Sequence, residues 1–304
     1  MKITTSAPGK LILLGEHAVV YGYPCIVTTL DKRILVSAEL SENRKDTIIK
    51  GKVADTTFVR ESVSFFKKKY RIKKKVTIET KTDFSDQLGF GSSAAVTVAT
   101  VHALNLLFAK KMSKKQLFNM CYKICLEVQG TGSGFDVAAS VFGNTLYYSN
   151  KGKIIEQIND GKLRIIVGYS GVKAKTTKLV QQVAKLYRSD KQHFVGIFNE
   201  ITKIVNKGRK MLETKDYVVF GRLMTKNHEL LKILGVSTIK LDAMVKAALD
   251  SGAYGAKLSG AGGGDCMIAL VDKNNHKHIE TAIMKAGGEV IKVNFSQQGV
   301  RKDI

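Results

Sequence analysis

The octet Leu88-Gly89-Phe90-Gly91-Ser92-Ser93-Ala94-Ala95 stands directly before a run, Ala94–Phe108, that is apolar at every third or fourth position. Such spacing predicts a helix. The two glycines ahead of it allow positive φ and close approach of the backbone to a ligand. The serines add hydroxyls, and the first N–H groups of the helix point back into the loop because no earlier turn accepts them. Together these features describe an anion cradle, with phosphate as the common guest. The segment is not a Walker A loop, since no Lys follows the second glycine, and it is not G-x-G-x-x-G. A tight strand-to-helix turn is the competing reading.

Working outward, residues 2–7 and 10–14 read as strands separated by a turn at Pro8-Gly9. Cys25–Leu30 and Arg33–Leu40 read as a strand pair rich in Val, Ile and Thr. Thr57–Tyr70 has helical period, and Val76–Lys81 alternates as a half-buried strand does. Ser113 is the expected N-cap of a helix reaching Leu126, and Asn144–Ser149 with Ile154–Ile158 form an expected hairpin. Arg164–Tyr169 reads as a short buried strand. Beyond it the pattern turns helical, over Thr176–Leu186, Phe194–Leu212, Tyr217–Leu234 and Ile239–Ser251. Strands at Ala256–Ser259 and Met267–Val271, a helix at His278–Ala286 and a strand at Glu289–Asn294 close the chain. A strand-rich first half and a helix-rich second half predict two α+β domains, 1–160 and 161–304.

The 304 residues are 44% hydrophobic, enough for a full core, and only two are proline. No apolar run reaches about 18 residues, so no membrane span is expected. The N-terminus does not read as a secretory signal. The four cysteines form no C-x-x-C pair, which fits a reduced, cytoplasmic compartment without a zinc site. The net charge is +23, and nine of the 49 basic residues are Arg. Nucleic-acid readers favour Arg for bidentate contacts. A lysine-dominated excess along the whole chain, densest at Lys67–Lys75, reads as solvated surface, and no nucleic-acid partner is expected. An RNA-binding module, with affinity that falls steeply with salt, is the non-enzymatic alternative. The positive field draws anionic small molecules toward any cleft.

Three further segments carry chemistry. Gly130-Thr131-Gly132-Ser133-Gly134-Phe135-Asp136 presents a carboxylate on a glycine loop, suited to a general base, a metal ligand or a helix cap. The stretch 255–264 holds five glycines in ten residues, costly in chain entropy unless side chains there would collide with something. Ser6-Ala7-Pro8-Gly9-Lys10 and Gly15-Glu16-His17 place a cation, a carboxylate and an imidazole close in sequence. Phosphoryl transfer needs positive charge on the migrating group, a phosphate cradle and a group that orients or deprotonates the hydroxyl. Lys10, the 89–93 loop and Asp136 meet those needs, which points to a kinase acting on a small alcohol.

Three stretches in order, SAPGKLILLGEHAVVYGYP at 6–24, LGFGSSAA at 88–95 and KLSGAGGGDC at 257–266, resemble the GHMP kinases over essentially the whole chain. The resemblance implies a ribosomal protein S5 domain 2-like N-terminal domain and a ferredoxin-like C-terminal domain. It implies ATP bound at Leu88, Gly89, Phe90, Gly91, Ser92, Ser93 and Ala94, with Mg²⁺ near Ser93. Asp136 is then the catalytic carboxylate facing the acceptor hydroxyl, and Lys10 lowers that hydroxyl's pKa or stabilises charge on the transferred group. Glu16 and His17 face the substrate, and Gly262 and Gly263 wall the site. Within the family, 6–24 and LMTKNHELLKILGVSTIKLD at 223–242 look most like archaeal-type mevalonate kinases, which implies mevalonate as acceptor. VQGTGSGFDVAASVFG at 128–143 and the ending GGGDC look closer to phosphomevalonate kinases, with Lys173, Lys175 and Lys178 as cations for a second phosphate. A homodimer is left open. One position departs from the family pattern. Cys125 stands where members with a Mg²⁺-binding Glu carry that residue, and Glu127, two residues on, points about 200° away on a helix.

Overall fold

The computed structural model describes residues 1–43, 45–49, 56–160 and 163–303. Residues 161–162, next to the expected domain boundary, lie outside them.

The first sheet is built on two long antiparallel strands, β1 (Lys2–Leu14) and β2 (Cys25–Ser41). The sequence reading broke each into two, and the structure corrects both. β1 runs through Pro8-Gly9 with a shift of register between Pro8 and Lys10. The surplus residues lie on β2, between Thr29 and Arg33, and the interrupted ladder gives proline a place. β2 continues through exposed Asp31, which pairs with Asn294 instead of turning the chain. Adjacent are β3 (Thr47–Ile49), β4 (Lys75–Thr82) and β11 (Arg301–Asp303), in the order β11-β1-β2-β4-β3. The hairpin of β5 (Thr145–Ser149) and β6 (Ile154–Ile158) joins through β5 to β2. The chain's last strand therefore returns to its first sheet.

Among the described residues four helices pack here: α1 (Thr57–Tyr70), α2 (Ser92–Leu107), α3 (Lys114–Gln129) and α4 (Phe135–Phe142). α2 lies centrally, against β1, β2 and the other three helices, and Ala94–Val101 are all buried. A helix apolar all round belongs in a core. α3 starts on a capping box, with Ser113 and Gln116 bonding each other's backbone N–H at 3.2 and 2.8 Å.

The second sheet is antiparallel, ordered β10-β7-β9-β8, from β7 (Ile165–Tyr169), β8 (Gly255–Ser259), β9 (Cys266–Leu270) and β10 (Glu289–Ile291). β7, β8 and β9 are buried along their whole length. α7 (Tyr217–Ile233), α8 (Ile239–Asp250) and α9 (His276–Lys285) pack on this sheet, whereas α6 (Lys191–Glu213) packs on α7 and on β1 and β2, with α5 (Thr176–Ser189) against α6. α7 meets β8 so closely that a Cβ on Gly255 would lie 1.8 Å from the Gly221 carbonyl oxygen, so this crossing requires glycine. Among the described residues no helix is long and apolar enough to cross a membrane.

Candidate active site

Residues Thr5–Val19 are buried without interruption, yet they include Lys10, Glu16 and His17. Buried charge of this kind marks a site more often than a scaffold. Lys10 follows the register shift between β1 and β2. Its ammonium donates to the Gly89 carbonyl at 2.9 Å, and its backbone N–H donates to the Phe90 carbonyl at 3.0 Å. Burial pushes its pKa down, opposed by the charges of Asp136, Asp265 and Glu16.

The glycine loop enters α2 through Gly91 at φ 76°, with no side-chain cap on the first N–H groups. α4 begins likewise after Gly134 at φ 85°, with Asp136 in its first turn. Two positive helix ends therefore border one space. A Cβ on Gly91 would sit 3.0 Å from Lys10 Cε and 3.7 Å from Asp136 Cβ, so loop, cation and carboxylate meet at one point. The loop before Asp136 is held from below. Tyr122 donates to the Gly132 carbonyl at 3.0 Å, Tyr148 donates to that of Ser133, and a Cβ on Gly134 would collide with the Tyr148 hydroxyl at 2.8 Å. Ser140 donates to the Pro8 carbonyl at 3.1 Å, fastening the helix of Asp136 to the strand of Lys10.

These residues line a cavity of about 450 Å³ between the two sheets. Of the residues expected from sequence, Lys10, Glu16, His17, Gly89, Gly91, Ser92, Ser93 and Asp136 border it. The others lie outside the lining. Phe90 is 1% exposed and packs on Phe84, with ring centroids 5.8 Å apart, and Ala94 is inside the helix core. Leu88 offers its carbonyl to the Cys266 thiol. Gly262 and Gly263 do not wall the cavity. Cβ atoms there would meet the Val236 carbonyl at 2.0 Å and Leu179 at 2.7 Å, so these glycines serve packing. Gly260 and Ala261 take that wall.

Sequence reasoning missed Asp265 as a site residue. It holds φ 53° among glycines, is 5% exposed and borders the cavity. Its Oδ1 accepts the Ala174 N–H at 2.8 Å, and a Cβ on Gly89 would lie 2.6 Å from its Oδ2. Burial pushes its carboxyl upward, opposed by the Ala174 N–H, Lys10 and Lys173. The lone acid inside the glycine run was the available signal. Asp86 and Lys173 pair at 2.9 Å on the cavity rim, one from each lobe. Lys175 and Lys178 are exposed and not part of the lining. Cys125 is buried beside Thr97, and burial pushes its thiol up to about 12. A protonated, soft thiol does not suit a hard cation.

A cleft between an S5-like and a ferredoxin-like unit, with a glycine loop, a lysine and a carboxylate, defines a small-molecule kinase. Residues 57–144 match the family described as "GHMP kinases N terminal domain" and residues 209–289 match "GHMP kinases C terminal"; the chain belongs to the GHMP kinases. Over 99% of its length it is 36% identical to the mevalonate kinase of Thermococcus sibiricus and 37% identical to that of Pyrococcus furiosus, covering 98% of each. The crystal structure of Methanococcus jannaschii mevalonate kinase superposes with a TM-score of 0.80 at 28% identity, covering 97% of this chain and 98% of that one.

Proposed function

We propose that this chain is a mevalonate kinase, transferring the γ-phosphoryl group of ATP to the 5-hydroxyl of (R)-mevalonate to give mevalonate 5-phosphate and ADP. The observation that carries the reading is the meeting of Lys10, Gly91 and Asp136 at two helix N-termini in one cavity. The ATP phosphates lie along Gly89, Gly91, Ser92 and Ser93, against the free N–H groups of α2. Asp136 orients the acceptor hydroxyl and takes its proton as the new P–O bond forms and the bond to ADP breaks. Lys10, held against Gly89, places positive charge beside the migrating group. His17 is neutral, its pKa lowered by burial, and its Nε2–H donates to Ala261, which fixes the ring beside the acceptor.

Oxygen donors at the cavity suit Mg²⁺, which commonly binds through one or two protein oxygens and the substrate phosphates. Ser93 would hold it, with Asp136 nearby; among the described residues no cluster of three or more acidic, His or Cys side chains does so. When bound, the ion neutralises charge on the β- and γ-phosphates. Residues 1–160 are the nucleotide-binding domain and 161–304 the second domain, apart from the returning strand β11. The enzyme is cytoplasmic.

Charge supports mevalonate over its 5-phosphate. Among the described lining residues the cations are Lys10 and Lys173, and Lys173 is already paired with Asp86. One carboxylate on the acceptor is matched better than a carboxylate and a phosphate dianion together. Incubation with MgATP and (R)-mevalonate, followed by phosphorus NMR of the product, tests the reading. A phosphomonoester coupled to the C5 protons is expected, and mevalonate recovered unchanged would overturn it.

A further inference from the structure

The Gly15-Glu16-His17 turn follows the first strand, but its polar contacts run to the second lobe. Gly15 N–H donates to Asn227 Oδ1 at 3.0 Å, and the His17 ring donates to the Ala261 carbonyl at 2.8 Å. The Lys257 ammonium, on β8, donates to Glu16 Oε1 and to the Leu258 carbonyl. Lys257 is 0% and Glu16 2% exposed. A lysine so deeply buried is rare and needs a paired anion. The second Glu16 oxygen, Oε2, is buried with no partner at hydrogen-bond distance, although the Glu16 and Gly260 backbone N–H groups help hold the carboxyl down and Glu16 borders the cavity. A buried carboxylate oxygen without a donor is costly, and a ligand hydroxyl removes the cost.

We propose that Lys257 is a positioning residue of the acceptor site: paired with Glu16 Oε1, it keeps that carboxylate charged and turned so that Oε2 accepts a hydrogen bond from a hydroxyl of the acceptor. The inference rests on the kinase reading above. Lys257 does not itself reach the cavity and acts through Glu16. The charged and titratable groups around Glu16 are Lys257, Lys10, the Cys25 thiol and the adjacent His17 ring. Lys10 is committed to Gly89, so Lys257 is the cation that matches Glu16. Burial pushes the Glu16 carboxyl upward, and the ammonium pulls it back down.

The test uses Lys257→Met and the double variant Lys257→Met/Glu16→Gln, with KM for mevalonate, KM for ATP and melting temperature as readouts. Wild-type turnover of mevalonate is measured first; its absence would overturn the kinase reading itself and this inference with it. In Lys257→Met the mevalonate KM rises about tenfold or more, the loss expected for a hydrogen bond to a charged group, while the ATP KM changes little. The double variant, free of unpaired buried charge, recovers melting temperature without recovering the mevalonate KM. Should Lys257→Met not fold, Lys257→Arg, which keeps the charge but moves it, carries the test: a raised mevalonate KM with an unmoved ATP KM supports the role, and an unmoved mevalonate KM overturns it. Equal rises in both KM values, a lower melting temperature with the mevalonate KM unmoved, or a double variant with wild-type mevalonate KM would each reduce Lys257 to a structural ion pair and overturn the inference.

Discussion

The Lys10 ammonium donates to the Gly89 carbonyl across 2.9 Å, so the lysine that borders the cavity also holds the glycine loop in place. Lys10→Met removes the charge and the tether together. Its kcat is expected to fall about a hundredfold or more, as when one preorganised charge contact is lost. The ATP KM rises as well, because the loop loses its anchor. Steady-state kinetics with both substrates varied checks this, and a variant with wild-type kcat removes Lys10 from the reaction.

Asp136 is pinned through Ser140 to β1 and through its preceding loop to Tyr122 and Tyr148. Asp136→Asn keeps the shape and removes the proton acceptor. A fall in kcat of about 10²–10⁴ is expected, with ATP affinity near that of wild type by titration calorimetry. Activity that survives the change would assign the base elsewhere.

Gly89 holds φ 69°, and any Cβ there meets the Asp265 carboxylate at 2.6 Å. Gly89→Ala therefore combines an unfavourable backbone with a collision. The ATP KM is expected to rise about tenfold, with a stability loss of about 1–2 kcal/mol by denaturant titration. Adding Asp265→Gly removes the collision and restores part of the ATP affinity. No recovery in the double variant would show that the two residues do not press on each other.

The glycine loop before α2, α2 itself and the glycine loop that presents Asp136 were legible because glycine, serine and periodic apolar residues act locally. Ser113 was legible as a cap for the same reason. Features set by distant partners were not. Pro8-Gly9 reads as a turn, and only pairing with the neighbouring β2 shows that β1 runs through it, beside a register shift. Arg301–Asp303 is too short and polar to announce a strand, and it gains its ladder from β1. Lys257 reads as a solvated lysine until Glu16 is folded against it from the other lobe. Gly262 and Gly263 look like a ligand wall, but the Val236 carbonyl and Leu179 occupy the space beside them.

Acid stability follows from the buried histidines. Burial lowers the pKa of His17, His102 and His228 below the ordinary 6.5. The unfolded chain therefore binds more protons there than the folded one, so stability is full above about pH 6.5 and falls as pH drops below it. The raised carboxyls of Glu16, Asp160 and Asp265 act in the opposite sense, taking up protons in the folded state as pH falls. His102 lies away from the cavity lining, and its Nδ1 is buried without a partner. In His102→Phe the fall in melting temperature between about pH 7 and pH 5.5 is expected to be shallower than in wild type. An unchanged slope would show that His102 binds protons alike in the folded and unfolded states across that range.

The central claim is that one carboxylate on a small alcohol, and not a second phosphate, is what this cavity accepts. Its most direct measurement is kcat/KM for (R)-mevalonate and for mevalonate 5-phosphate, side by side at saturating MgATP. A preference for mevalonate of about a hundredfold or more is expected, from unmatched charge on the competing acceptor. A preference for mevalonate 5-phosphate would contradict it and place the enzyme one phosphorylation later.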